Sequence, residues 1–333
     1  RIETSGHRLS INQIQIDTAA PQGRHGEWLV DPYDIIIGSN GGISSNVAIN
    51  NGSISPSGVS SVLDVAYLVG TLSNSSVTVS TASGNGSGTG GISLLAPIVF
   101  GSSSKGSLNL DAYGDVLLDC GQSVCIDASG ADNTGGGYIN IRSSVGGLNG
   151  SGSILLNNSA SLTIDQGGSP SQGWYGGVRN GILYKRGAGY LTLLGDLDAS
   201  QNPINNPTST LIQAGGLIAA SSAALGSGPI QVSSGASLVL GGNFTLNNAL
   251  TIQGVGPYSP SVALGALRVA SGFTATLASP LLLSGDAAIR VESNSVLRFT
   301  NQTSVGSSAS QAPNLSLLGS GGFDFRGSIN LSS

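Results

Sequence analysis

The sequence predicts an all-β protein wound as a right-handed parallel β-helix (β-solenoid) of about 14 to 16 coils, at roughly 20 to 24 residues a coil. Three observations carry this expectation. Apolar runs of about three to nine residues, too short for helices, alternate with Gly, Ser and Asn punctuation. These runs recur roughly every 20 residues, and because such short strands cannot stand alone, each must stack on a neighbour. Gly supplies 52 of the 333 residues, well above the usual share of about 7%, while charged residues make up 9% against a typical figure of about 25%.

Composition also excludes several classes. Low charge with 39% apolar residues argues against disorder. Gly without a G-X-Y period is not collagen. A net charge of −5, with 12 Lys and Arg scattered rather than clustered, gives nucleic acid no basic patch to bind. No apolar stretch is long enough for a membrane helix. The chain begins at Arg1 and contains no Met, so it reads as an internal or processed piece of something longer.

In chain order, Leu9, Ile11, Ile14 and Ile16 alternate before the turn at residues 20–26. The segment GEWLVDPYDIIIG, residues 26–38, follows. Trp28 and Leu29 suit a coil interior, while Pro32 lacks an N–H and belongs at a strand end or corner. Asp31 is placed to accept hydrogen bonds from the turn, Tyr33 completes the motif, and Ile35 to Ile37 restart a strand. Val47 to Ile49 precede a turn, and Val62 to Leu68 read as a short helix opened by a Ser cap and closed at Gly70. Short strands follow at Val77–Val79, within Ile92–Phe100, and at Leu108–Leu110, Val116–Leu118 and Val124–Ile126.

Cys120 and Cys125 are the only cysteines. Their spacing is neither a redox CxxC nor a zinc site, and a local disulfide clamping one turn is preferred to two free thiols. Strands at Ile154–Leu156 and Leu162–Ile164 lead to residues 166–181, read as a projecting loop with Trp174 and Tyr175 at its tip. Aromatics there would either stack on a sugar or cap the edge of a coil, and both readings stand. From Ile182 onward short runs continue through Leu250–Ile252, Leu267–Val269, Leu281–Leu283, Ile289–Val291, Val296–Phe299, Leu315–Leu317 and Ile329–Leu331.

Two resemblances divide the chain into residues 1–181 and 182–333, continuous with one another. Residues 26–38, with Ala96, Pro97, Ile98, Ser107, Leu108, Leu110, Ala112 and Asp115, resemble the haemagglutinin-type repeats of two-partner-secretion exoproteins. Residues 182–243 resemble the passenger-associated repeat of autotransporters, with Leu183, Lys185, Gly187, Gly189, Leu191, Leu193, Gly215, Leu217, Gly228, Ile230 and Leu238 in register. The resemblance implies transport through an outer-membrane β-barrel partner. It implies extracellular or outer-membrane surface display as an adhesin or biofilm component, with a host-cell or matrix glycan or protein as ligand, and leaves end-to-end self-association open.

Catalytic chemistry has little footing. Asp111, Asp115, Asp119 and Asp127 form the densest acidic group, and two Asp one coil apart would approach a retaining-glycosidase separation or contribute to a calcium site. Each sits beside a strand end next to turn residues, where capping is the favoured reading. His7 and His25 lack metal-ligand spacing, no G-x-S-x-G elbow exists, and no Gly-rich string ends in GK[ST]. The expectation is a non-enzymatic shaft with no metal and no cofactor. A structural filament and a polysaccharide-active β-helix are the rivals.

Overall fold

The computed structural model describes the strands Ile2–Glu3 and Trp28–Leu29 by backbone, residues 34–39 and 41, and residues 44–331. Within that last range it leaves out 51–52, 58–60, 82–88, 103, 133–136, 169–172, 196–205, 259–260, 301–303 and 310–311. The protein is mostly β, with parallel sheets. It divides into two compact units, Arg1–Gln172 and Gly173–Ser333.

In the first unit successive strands visit three parallel ladders in a fixed order. Leu108–Ala112 lies in the first ladder, Val116–Leu118 in the second and Val124–Ala128 in the third. The chain then returns to the first ladder at Ile139–Ser143, the second at Leu148–Gly150 and the third at Ser153–Leu156. Register in the first ladder stacks like on like: Val77, Leu108, Ile139 and Leu162 form one column, and Val79, Leu110, Ile141 and Ile164 another. Strand residues alternate between faces, so these two columns share a side and the residues between them face the other way. Every member of both columns is buried, each such burial contributing about 1.5–3 kcal/mol. That alternation is why the short runs in the sequence form strands at all.

Two local features differ from the sequence expectation. Val47–Asn50 pairs antiparallel with Ser53–Pro56, a hairpin beside the parallel ladders. Its connection carries Asn51-Gly52, the dipeptide that tight hairpins favour. The expected helix also begins later. Ser61–Asp64 is a strand, and the helix runs Val65–Leu72, through Gly70. Its cap is Asp64, whose side chain accepts from the Ala66 amide, rather than a serine. Leu68 and Leu72, one turn apart, are its buried contacts.

The second unit repeats the plan. One ladder stacks Ile182–Arg186, Ser209–Ile212, Ile230–Val232 and Leu250–Gly254, and then the first part of Leu281–Val291. A second stacks Tyr190–Leu193, Gly215–Ala219, Ala236–Leu240 and Leu267–Val269, and then the last part of Leu281–Val291. The third joins Thr245–Leu246, Thr274–Leu277, Val296–Phe299 and Gly322–Phe325, where Phe299 and Phe325 stack with centroids 4.2 Å apart. Gly216 allows a close approach on the outside of the second ladder, because a methyl group at that position would overlap the Tyr190 ring.

Lys185 occupies an inward position between Leu183 and Arg186 and is fully buried. Its ammonium donates to the carbonyls of Arg186, of Gly187 at 3.0 Å and of Ala214 at 3.4 Å. A buried ammonium is tolerated only when it is hydrogen-bonded in this way, and here it organises the turn that closes the strand. This gives the Lys185-Arg-Gly187 stretch a structural reason.

Candidate functional site

The aromatic pair at residues 174–175 is not a loop tip. Trp174 is fully buried, while Tyr175 is 45% exposed. The Trp174 amide donates to the Thr192 carbonyl at 3.0 Å and its own carbonyl accepts from the Leu194 amide at 3.2 Å. Residue 174 therefore pairs alongside Leu193 in parallel, and the period of two sends Trp174 inward and Tyr175 outward. Within the range expected to be a loop, Gln166 ends a strand as a buried residue and Val178–Arg179 is itself a strand. Tyr175 is the half of the expected binding pair that a ligand can reach.

Cys120 and Cys125 are joined, with Cα atoms 5.5 Å apart, and clamp the corner between the Val116–Leu118 and Val124–Ala128 strands. Gly152 lies against this corner, where a methyl group would overlap the Cys125 sulfur. Trp28 lies in a two-residue strand paired with Ile2–Glu3; nothing beyond its backbone is described. Asp31, Pro32, Tyr33, His7 and His25 lie outside the described residues, as does the run from Leu9 to Ile16.

The four clustered aspartates of the sequence separate in space by ladder. Asp111 sits in the first ladder, 3.5 Å from the Arg142 guanidinium on the neighbouring strand. Burial pushes its carboxyl above the ordinary value, against the opposing pull of Arg142, and the nearby Asp165 adds to the rise. Asp115 precedes the second ladder and accepts from the Gly147 amide at 2.7 Å. Asp127 is in the third and accepts from the Ser129 amide at 3.0 Å and its hydroxyl at 2.6 Å. Asp119 follows the second ladder as an exposed residue. Among the described residues no three His, Cys, Asp or Glu come together as a metal-binding group.

What the register does assemble is an open groove of about 460 Å³ on the outer face of the second ladder of the first unit. Its floor is a row of outward residues, Ile36, Ser93, Leu117 and Asn149, one from each of four adjacent strands. Its flank is the row preceding those strands, Asp34, Gly91, Asp115 and Gly147, tied by the Ile35 amide to the Gly91 carbonyl, Ile92 to Asp115 and Val116 to Gly147. Carboxylate and glycine therefore alternate along the flank. Asp34 Oδ1 accepts from the amides of Thr89 and Gly91 at 3.0 and 2.7 Å and from the Thr89 hydroxyl at 3.1 Å. Each aspartate thus has one carboxylate oxygen held by backbone amides.

Asp34, Asn149 and Lys185 carry these features, and the sequence alone drew attention to none of them for that purpose. Asp34 lies within the Trp28–Ile37 motif, but its partner Gly91 is 57 residues away. No local pattern links the two. Among the described residues no helix is long and apolar enough to cross a membrane. Comparison with protein-family models, with curated proteins and with solved structures returns no match.

Proposed function

We propose that each unit is a segment of right-handed parallel β-solenoid and that the chain is the non-catalytic shaft of a secreted or surface-displayed bacterial adhesin. The supporting observation is the ordered return of the chain to the same three ladders, with in-register columns of Val, Leu and Ile. A core built this way is shared between neighbouring repeats, so it extends by adding repeats and gives a stiff support rather than a closed catalytic pocket. The conspicuous aspartates are engaged in that architecture: Asp115 and Asp127 hold backbone amides, and Asp111 holds Arg142 on the next strand. Export through an outer-membrane β-barrel transporter, display outside the cell and contact with a host or matrix glycan or protein belong to the same reading. They rest on the resemblance of residues 26–38 and 182–243 to exported repeat proteins.

The test is attachment. Beads coated with the purified chain should adhere to a glycan array or to epithelial or biofilm surfaces above uncoated beads, and should release no reducing ends from polysaccharide. Fibres seen by electron microscopy without attachment would favour a structural filament, and reducing-end release would favour a polysaccharide-active enzyme.

A further inference from the structure

We propose that Asn180 is a site of spontaneous chemical modification, at which the folded chain converts the Asn180-Gly181 linkage to an isoaspartyl one. The reaction uses only the chain and water. The backbone nitrogen of Gly181 attacks the side-chain carbonyl carbon of Asn180, forming a C–N bond. The side-chain nitrogen leaves as ammonia, taking the Gly181 amide proton with it. Water then opens the resulting five-membered imide at one of its two carbonyls. Cleavage at the former side-chain carbonyl gives aspartate, and cleavage at the main-chain carbonyl gives isoaspartate. The balance is one amide and one water in, one acid and one ammonia out.

The sequence holds five Asn-Gly pairs, at 40–41, 51–52, 85–86, 149–150 and 180–181, and the last two are described in full. Glycine matters at the second place because no Cβ shields its nitrogen. The two described pairs differ in what governs the reaction. Asn149 is only 8% exposed, and Asn149-Gly150 lies inside a strand in register with Leu117 and Leu118. Asn180 is exposed, at the corner between the strands Val178–Arg179 and Ile182–Arg186. Water reaches its side chain there, and ammonia can leave.

The backbone of the corner supplies an independent observation. Asn180 and Gly181 both adopt the left-handed conformation, at φ 61° and 60°, which suits these two residue types. The corner is tied on either side of the reacting bond. The Asn180 amide donates to the Asn206 carbonyl at 3.1 Å, and the Gly181 carbonyl accepts from the amide of Thr208 at 2.8 Å and from its hydroxyl. Between these ties the Gly181 amide donates to no described residue. Backbone amides in folded chains are nearly all paired, so this nitrogen differs from most in having no bond to give up before it attacks. Nucleophile and carbonyl belong to adjacent residues, which makes the step intramolecular.

The isoaspartyl product carries a carboxylate in place of the amide and routes the main chain through the former side chain. One methylene is thereby added between the two ties. Asn206 and Thr208 stay two residues apart on the neighbouring turn, so the lengthened corner cannot keep both bonds. The inference is independent of any adhesin role, because it rests only on this corner.

The experiment is peptide mapping of the full folded chain after incubation in mildly alkaline buffer, with the same chain in denaturant as reference. The peptide containing residue 180 should shift from amide to acid mass several-fold faster than the peptide containing residue 149. Its product should accept a methyl group from an isoaspartyl methyltransferase. In denaturant the two peptides should convert at similar rates, since the difference comes from the fold. Hydrogen exchange at the Thr208 amide should rise in the converted chain. It should not rise in an equally incubated Asn180→Gln chain, whose longer side chain closes the ring far more slowly. Conversion at residue 180 no faster than at residue 149 in the folded chain overturns the proposal. So does a residue 180 that stays intact in the folded chain while the unfolded chain converts it, or a product that takes no methyl label.

Discussion

Replacing Lys185 by Met tests whether a buried charge holds the turn together. The ammonium is fully buried and donates to three carbonyls, those of Arg186, Gly187 and Ala214. The Ala214 contact, at 3.4 Å, is too long to contribute much. Two good bonds from a charged donor are worth about 1.5–3 kcal/mol each, so losing these two costs about 3–6 kcal/mol before any offset. Methionine keeps most of the aliphatic stem and removes the cost of burying an ammonium, itself several kcal/mol. The carbonyls left behind lie on a half-exposed turn and regain some water. The net expectation is a loss of about 1–3 kcal/mol, less than the sum of the bonds. In a repeat architecture the loss is best read locally. Hydrogen exchange at amides of residues 183–187 and 209–214 should report an opening free energy lower by that amount, while amides of Leu108–Ala112 should be unaffected. A Met variant as stable as the parent at these amides would refute the reasoning, since the carbonyls would then be satisfied without the ammonium.

Other positions give simpler readings. Trp174→Ala removes a fully buried ring and should cost about 3–5 kcal/mol, whereas Tyr175→Ala, on the exposed side of the same backbone pairing, should stay within about 0.5 kcal/mol; thermal unfolding of the pair distinguishes them. Reduction of Cys120–Cys125 should raise the mass of the peptide containing both by two hydrogens. With a sequence separation of only 5, it should lower stability by roughly 2 kcal/mol in denaturant titration. Asp111 has a raised carboxyl pKa, so its contribution to stability is complete below the unfolded value and falls as pH rises through the folded one. Asp111→Asn should therefore gain on the parent as pH rises just above 3.8, by less than about 1 kcal/mol for so exposed a group, as measured by urea midpoints across that range.

The inward half of the fold was legible because it is local. Val77-Thr-Val79, Leu108-Asn-Leu110 and Ile139-Asn-Ile141 each declare their own buried face through the period of two, before any partner is known. The parallel stacking followed from strands too short to stand alone. What escaped was whatever a distant strand decides. Trp174 sits in a Gly-rich stretch that reads as a loop, and only its pairing beside Leu193 turns it inward. The Val47–Asn50 hairpin was masked for a different reason: Ser53-Ile-Ser-Pro56 buries Ser53 and Ser55, so its alternation carries almost no hydrophobic contrast.

The outward rows escape sequence reading more completely, and they are where recognition chemistry can reside. The columns that begin at Val77 and Val79 are held to Val, Leu and Ile by burial, so they repeat and can be read. An outward row is free of that restriction, and its meaning depends on which residues the register sets side by side. In the first ladder that freedom yields Thr78, Asn109 and Asn140, which hydrogen-bond to one another across strands, and the Asp111–Arg142 pair beside them. These side chains satisfy each other. In the second ladder the same freedom yields Asp34 and Asp115 alternating with glycines above Ile36 and Leu117. Both rows obey one backbone plan. The first ladder's side chains find side-chain partners on adjacent strands, whereas Asp34 and Asp115 turn to the backbone amides of Gly91 and Gly147, so the same outward freedom is spent on two different kinds of cross-strand tie.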